Sequence, residues 1–404
     1  MSRVLAQVNN HRVEIDALLL CVRPARSDIE VVKIQELISE NLDWDYLFKL
    51  ARRHSLLPLL YKRLDHALPQ LPADSRLQQL RLAYQDNLAR NLVFADELIQ
   101  LTEGLAHSGI ESIAYKGPVL SVVAYGDLGL RQFVDLDLMV RRRDVMTASR
   151  VLMDRGFKPA IDLNRAQHEL LLRSQHNLQF LKDDAKIMVE LHWQVSSHLF
   201  ASSVTAEELW QNLETVTVNG SELRTFSIDD LLFSLCVHGS RHLWERLLWI
   251  ADIAHLVQVR RDVDWPQLLK RADRADARRM FLLGLHLADV LLQAPLPDVV
   301  KQKISRDKQI PELTAEIIAT LFDGTDRHPA TAAQIFRYNV NVRNSWPARF
   351  RYMRYTLAPT DSDLGMVRLP AGVRFAYYLL RPMRIFSKHQ SVQSVKQPST
   401  NGSR

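Results

Sequence analysis

The chain has 404 residues, enough for two or three domains around a large core. Apolar residues make up 47% and charged residues 24%, which excludes a disordered, collagenous or fibrous chain. The net charge of +6 is carried by the C-terminal end: residues 331–404 hold 12 Lys/Arg against 2 Asp/Glu, and residues 1–330 hold 40 against 44.

Only 13 glycines, together with abundant Leu, Ala and Arg, predict a largely helical chain. Cys21 and Cys236 lie in apolar helical contexts without metal-site spacing, so neither a disulfide nor a cysteine metal site is expected. The first residues lack the apolar core of a secretory signal, and no apolar run has the length of a transmembrane helix. A cytoplasmic protein is the expectation.

Residues 1–100 read as an N-terminal helical region. Ser27-Asp28-Ile29-Glu30 and Asn41-Leu42-Asp43-Trp44 each open a helix, and apolar residues recur at helical spacing from Leu77 to Leu105. Residues 101–220 change character and read as an α/β core. A short strand leads from Gly109 to Tyr115, and Pro118 suits the first turn of a following helix. A strand over residues 134–140, a helix from Met146 to Met153 and a turn at Arg155-Gly156 come next. Strands around Asn177–Leu181 and Ile187–His192 close the region, joined by a turn at Lys182-Asp183-Asp184-Ala185. That order predicts a small mixed sheet with helices on one side.

Residues 221–340 read as a second helical domain. Ser227-Ile228-Asp229-Asp230 is a cap-like start, and Asp264-Trp265 opens another helix. Residues 341–390 form a basic segment, and the interleaving of arginine with aromatics begins just ahead of it: Phe336-Arg337-Tyr338, Arg349-Phe350-Arg351-Tyr352, Arg374-Phe375 and Tyr377-Tyr378. It reads either as a surface for phosphates, nucleic acid or anionic lipid, or as helices with aromatics packed inward and arginines outside. The polar tail 391–404 is expected to be disordered. The predicted class is α+β, mostly helical, with the small sheet between helical regions.

The chemistry concentrates in residues 116–192. Asp135 and Asp137 are two apart on one strand and so share a face, opposite Val134, Leu136 and Leu138. Two carboxylates on one edge of a buried strand repel unless a cation sits between them. Glu190, on another strand, offers a third carboxylate that is either catalytic or paired with His192 on the same face; His192 either binds substrate in the cleft, orients Glu190, or is a satisfied core histidine. His238 and His242 are four apart on one helix, but no third ligand is evident, so lining of a substrate cleft or packing is the reading. Asp252 either faces the same cleft or pairs with an arginine. Trp193 reads as core.

In this order, Lys116-Gly117, Arg131, Asp135-Leu136-Asp137 and Glu190-Leu191-His192-Trp193 resemble the polymerase-β-like nucleotidyltransferase superfamily, and more closely a bacterial family of uncharacterised nucleotidyltransferases. The stretch from His238-Gly239-Ser240-Arg241-His242 to Arg246-Leu247-Leu248-Trp249-Ile250-Ala251-Asp252 is similar to that family's helical half, and so is Leu357-Ala358-Pro359. The resemblance extends over residues 30–385. It implies two Mg²⁺ ions held by Asp135, Asp137 and Glu190, with all three carboxylates catalytic. It also implies nucleoside triphosphate contacts at Lys116, Gly117 and Arg131. Transfer of a nucleoside monophosphate, most plausibly AMP, to a hydroxyl of a small molecule, sugar or protein follows from it. Two features depart from the wider superfamily: Pro118 stands where a serine is usual, and the interval from Gly117 to Asp135 is longer. A non-catalytic nucleotide sensor or scaffold is therefore a second reading. A nucleic-acid-binding or -modifying protein that uses the basic segment is a third.

Overall fold

The computed structural model describes residues 11–358 apart from 25–27, 40–41, 69–74, 183–185, 199, 202–205, 261–262 and 325–329. Ser27, most of the Lys182–Ala185 turn, Pro359, the Arg374-Phe375 and Tyr377-Tyr378 pairs and the tail 391–404 lie outside the described residues.

The apolar spacing of the first hundred residues yields helices α1 (Arg12–Val22), α2 (Asp28–Ser39), α3 (Trp44–Arg53), α4 (Leu57–Ala67) and α5 (Ser75–His107). Asp43 caps α3 by accepting a hydrogen bond from the Tyr46 N–H. The stripe from Leu77 to Leu105 becomes one helix of 33 residues.

The core follows as β1 (Ser112–Ala114), α6 (Gly117–Tyr125), β2 (Asp135–Val140), α7 (Val145–Asp154), β3 (Lys158–Pro159), α8 (Arg165–Ser174), β4 (Asn177–Lys182) and β5 (Ile187–His192). These strands make a sheet in the order β1-β2-β5-β4-β3; only β2 and β5 are parallel. The expected mixed sheet is present, with β3 as an additional short edge.

The start of the expected second helical domain differs. After α9 (Ala206–Gln211), β6 (Leu213–Val218) and β7 (Ser221–Phe226) form a hairpin. Its turn is Asn219-Gly220, both at positive φ, the pair that tight hairpins favour. Helices then resume as α10 (Ile228–Arg241), α11 (Leu247–Val259), α12 (Trp265–Arg274), α13 (Arg278–Leu292), α14 (Asp298–Ser305), α15 (Gln309–Leu321), α16 (Ala332–Asn341) and α17 (Trp346–Leu357). Ser227 caps α10 and Asp264 caps α12, as their sequences predict.

Strand alternation divides the sheet into two unlike faces. Leu136, Leu138, Val140, Val189, Leu191, Leu178 and Phe180 form a buried cluster with Phe94, Leu98 and Leu101 of α5 and Val145, Ala148 and Leu152 of α7. The opposite face carries the polar set Asp135, Asp137, Glu190, His192, Gln179 and Asn177. Helices α1–α4 and α10–α15 share a second, larger core, so the two helical regions pack into one body. Cys21 and Cys236 are buried in it as free thiols.

Trp244 is fully buried where α10 turns into α11. Leu243 and Trp244 both have positive φ, and the Trp244 N–H returns to the Gly239 carbonyl. A Cβ at Gly239 would overlap the indole, and one at Gly284 would come within 2.7 Å of Cys236 Sγ. Overpacking of this kind costs about 1–3 kcal/mol, so Gly239→Ala is expected to lower the denaturant midpoint accordingly.

His54 ties the two helical regions together. Its Nδ1 accepts from the Leu247 N–H at 3.2 Å, so its Nε2 is the protonated nitrogen and donates to the Leu321 carbonyl at 3.0 Å. Burial, with Arg53 nearby, pushes its pKa down to about 4 despite the Leu321 bond. The unfolded chain, with an ordinary histidine pKa of about 6.5, takes up a proton that the folded protein refuses. The stabilisation is therefore whole above about pH 6.5 and is lost as pH falls toward 4, by about 3 kcal/mol in full. Denaturant midpoints at neutral and acid pH check this: the acid-induced loss is expected to be smaller in His54→Gln than in the wild type.

Candidate active site

The register of β2 and β5 builds the acidic cluster. Asp137 pairs with Glu190 and Met139 with His192, so both carboxylates and the imidazole lie on the polar face. His192 Nε2 is 3.0 Å from Asp137 Oδ1 and 3.2 Å from Glu190 Oε2. Gln179, opposite Glu190 on β4, donates to its other oxygen at 2.8 Å. One ligand atom each from Asp137, Glu190 and His192 falls within 4.8 Å of the others, a grouping that could hold a metal ion.

Lys116 reaches this cluster from the residue before α6, its ammonium 2.8 Å from Asp137 Oδ1. Gly117 follows with φ +52°, and a Cβ there would sit 3.3 Å from the Asp135 carbonyl oxygen. Glycine thus lets the start of α6 press against the start of β2.

Charges are unevenly compensated. Burial raises Asp137, but the Lys116 ammonium and the His192 hydrogen bond outweigh it and hold its carboxyl well below the usual range. Glu190 is also raised by burial and lowered overall by its bond to His192. Asp135 is pushed up to about 6, first by burial and then by the Asp137 charge, with Lys116 opposing. Of the three carboxylates, Asp135 is the one whose charge the protein itself neutralises least.

A cleft of about 440 Å³ opens over this face. Asp135, Asp137, Glu190, Lys116, Arg131, His192, His238 and His242 all line it, so the cleft gathers most of the residues singled out by sequence. His238 and His242 pack with Trp249, with ring centroids 4.6 to 5.4 Å apart.

Gly117 and Asp252 do not line the cleft. Gly117 is buried at the start of α6 against β2. Asp252 is fully buried, with Arg131 and Tyr125 on its carboxylate. Arg131 donates through Nε at 3.0 Å and Nη2 at 3.1 Å, and Tyr125 Oη donates at 2.7 Å. Of the two readings of Asp252, pairing with an arginine is the one observed. The same bond fixes Arg131 in the loop before β2.

Asn87, Arg90 and Asn91 were not singled out by sequence. From α5 they donate to the carbonyls of Leu128, Gly129, Arg131 and Phe133, holding the loop that delivers Arg131 and Asp135. Three polar groups within five residues of a helix, otherwise buried against apolar neighbours, were the available signal. Gln179 and Asn177 were legible from β4, where they alternate with Leu178 and Phe180. Arg241, Arg246 and Tyr355 also line the cleft but come from distant elements.

Removing the Asp252 carboxylate leaves the buried Arg131 guanidinium without its counter-charge, a loss of about 3–5 kcal/mol in comparable buried pairs. Asp252→Ala is expected to show a destabilisation of that order by denaturant titration. Asp252→Asn, which keeps one acceptor, is expected to lose less.

No curated protein and no solved structure matches the chain. The family model described as uncharacterised nucleotidyltransferase matches residues 40–293, a span that takes in the α/β core, the acidic cluster and the helices that close the cleft. The chain belongs to this family of uncharacterised nucleotidyltransferases.

Proposed function

We propose that the cleft catalyses Mg²⁺-dependent transfer of a nucleoside monophosphate, with ATP the preferred donor, to a hydroxyl of a small molecule, sugar or protein. The observation that carries this reading is three carboxylates on one wall, beside a lysine, an arginine and a glycine-started helix. The donor set fits a hard divalent cation: Asp137 and Glu190 offer carboxylate oxygens beside His192, and Asp135, raised by burial and by the Asp137 charge, is the carboxyl that added positive charge would favour most. Asp135, Asp137 and Glu190 would hold Mg²⁺, which when bound polarises phosphate oxygens and lowers the pKa of an attacking hydroxyl.

The chain's own residues supply the rest. Lys116 and Arg131, both on the cleft lining, neutralise phosphate charge. Gly117, by letting the start of α6 pack against β2, holds the N-terminus of that helix beside the acidic strand. This role for the two cations compensates for Pro118, which has no hydroxyl to offer a phosphate. Glu190, oriented by Gln179 and His192, is placed to accept the proton of the acceptor hydroxyl. The attacking oxygen bonds the α-phosphorus as pyrophosphate leaves.

Calorimetric titration of ATP, GTP, CTP and UTP with Mg²⁺ tests the reading on the wild type and on the double substitution Asp135→Ala/Asp137→Ala. Metal-dependent binding in the wild type and its loss in the double variant are expected. Lys116→Ala and Arg131→Ala are each expected to weaken that binding by about tenfold or more. Binding that persists in the double variant, without pyrophosphate release, would replace the enzyme with a nucleotide sensor.

A further inference from the structure

The last described helix, α17, turns its apolar residues outward. Trp346, Phe350, Met353 and Leu357 are spaced four, three and four apart, so they form one ridge along the helix. Trp346 is 75% exposed and Phe350 63%, and Met353 and Leu357 are exposed as well. Ala348 and Tyr352, on the opposite side, are buried. On α16, Ile335 and Phe336 are also exposed, and Phe336 packs beside the Tyr352 ring at 6.0 Å. The expectation of aromatics inward and arginines outward therefore holds only for part of the segment. Tyr338 and Tyr352 are buried and Arg343 is buried with them, its guanidinium 4.1 Å from the Tyr352 ring centroid.

Residues 331–358 contain five arginines and no Asp or Glu. Acidic groups meet this segment away from the ridge, where Arg351 pairs with Asp276 and Arg337 with Glu316, while Arg343 is buried. At 100° per residue, Arg349 and Arg354 fall on the two borders of the ridge, and Arg349 lies 5.0 Å from the Trp346 ring centroid. An apolar strip bordered by arginines, with tryptophan at one end, is the side-chain arrangement that lies in a headgroup layer: the strip enters the acyl boundary and the guanidinium groups stay with the phosphates.

We propose that the outer face of α17, extended by Ile335 and Phe336, docks on an acidic lipid surface. Among the described residues no helix is long and apolar enough to cross a membrane, so the contact would be peripheral. A nucleic acid fits less well, because phosphates would meet the apolar ridge rather than an array of cations. Tyr355, on the far side of the same helix, lines the cleft. A docked bilayer would therefore lie about one helix diameter, ~10–12 Å, from the cleft wall.

The test is co-sedimentation of the full chain with vesicles of phosphatidylcholine alone and of phosphatidylcholine with about one-quarter phosphatidylglycerol, at about 0.1 M and 0.5 M salt. The wild type is expected to pellet with the acidic vesicles at low salt, less at high salt, and not with the neutral ones. Trp346→Ala/Phe350→Ala, whose side chains are exposed, is expected to keep the wild-type thermal midpoint and to lose more than about tenfold in partitioning. Three results would overturn the proposal: no wild-type binding to acidic vesicles, as when the chain's own C-terminal residues or a second copy cover the ridge; equal binding by the double variant; or binding of a single-stranded oligonucleotide in place of vesicles.

Discussion

Asp135, Asp137 and Glu190 stand on the polar face of a sheet whose other face packs apolar side chains against α5 and α7, and their mutual repulsion is the constraint around which this part of the molecule is arranged. Desolvation pushes each carboxyl toward its neutral form. The protein answers with Lys116 on Asp137 and with His192 between Asp137 and Glu190. Asp135 receives the least compensation. An acidic wall left partly uncompensated, in a cleft that also carries Arg131, Arg241 and Arg246, suits a ligand that brings cations and anionic phosphates together.

The same constraint explains the depth of support behind the site. The loop that carries Arg131 into the cleft buries Leu130 and Phe133, and its carbonyls are held by Asn87, Arg90 and Asn91 from α5. Arg131 in turn is held by Asp252 from α11, and Asp252 by Tyr125 at the end of the helix that Lys116 and Gly117 begin. Three parts of the chain meet at one buried ion pair: the N-terminal helices, the sheet core and the C-terminal helices. These bonds hold the strand side of the cleft, and its remaining wall rests on the turn that packs Trp244 against Gly239 and Gly284.

The apolar ridge of α17 adds a different kind of surface to the same body. Its inner side contributes Tyr355 to the cleft and its outer side is bare of acidic groups. The cleft and the ridge are separable by substitution, because no residue belongs to both.

Much of the fold was legible because its signals are local. Capping residues marked α3, α10 and α12, period-two alternation marked β2, β4 and β5, and helical spacing marked α5. The Asn219-Gly220 turn was an equally local signal, and reading it would have exposed the β6–β7 hairpin. Asp135, Asp137 and Glu190 could be picked out because strand periodicity fixes which residues share a face, whatever the rest of the chain does. What tertiary structure alone decided was pairing across distance: that Glu190 lies beside Asp137 through the parallel β2–β5 register, and that Asp252 serves Arg131 rather than the cleft. That Lys116 neutralises Asp137, and that the aromatics of α17 face both ways, were settled there too. Each depends on which elements touch and in what register, and the free energy that fixes those contacts comes from burial summed over the whole molecule, not from any short run of residues.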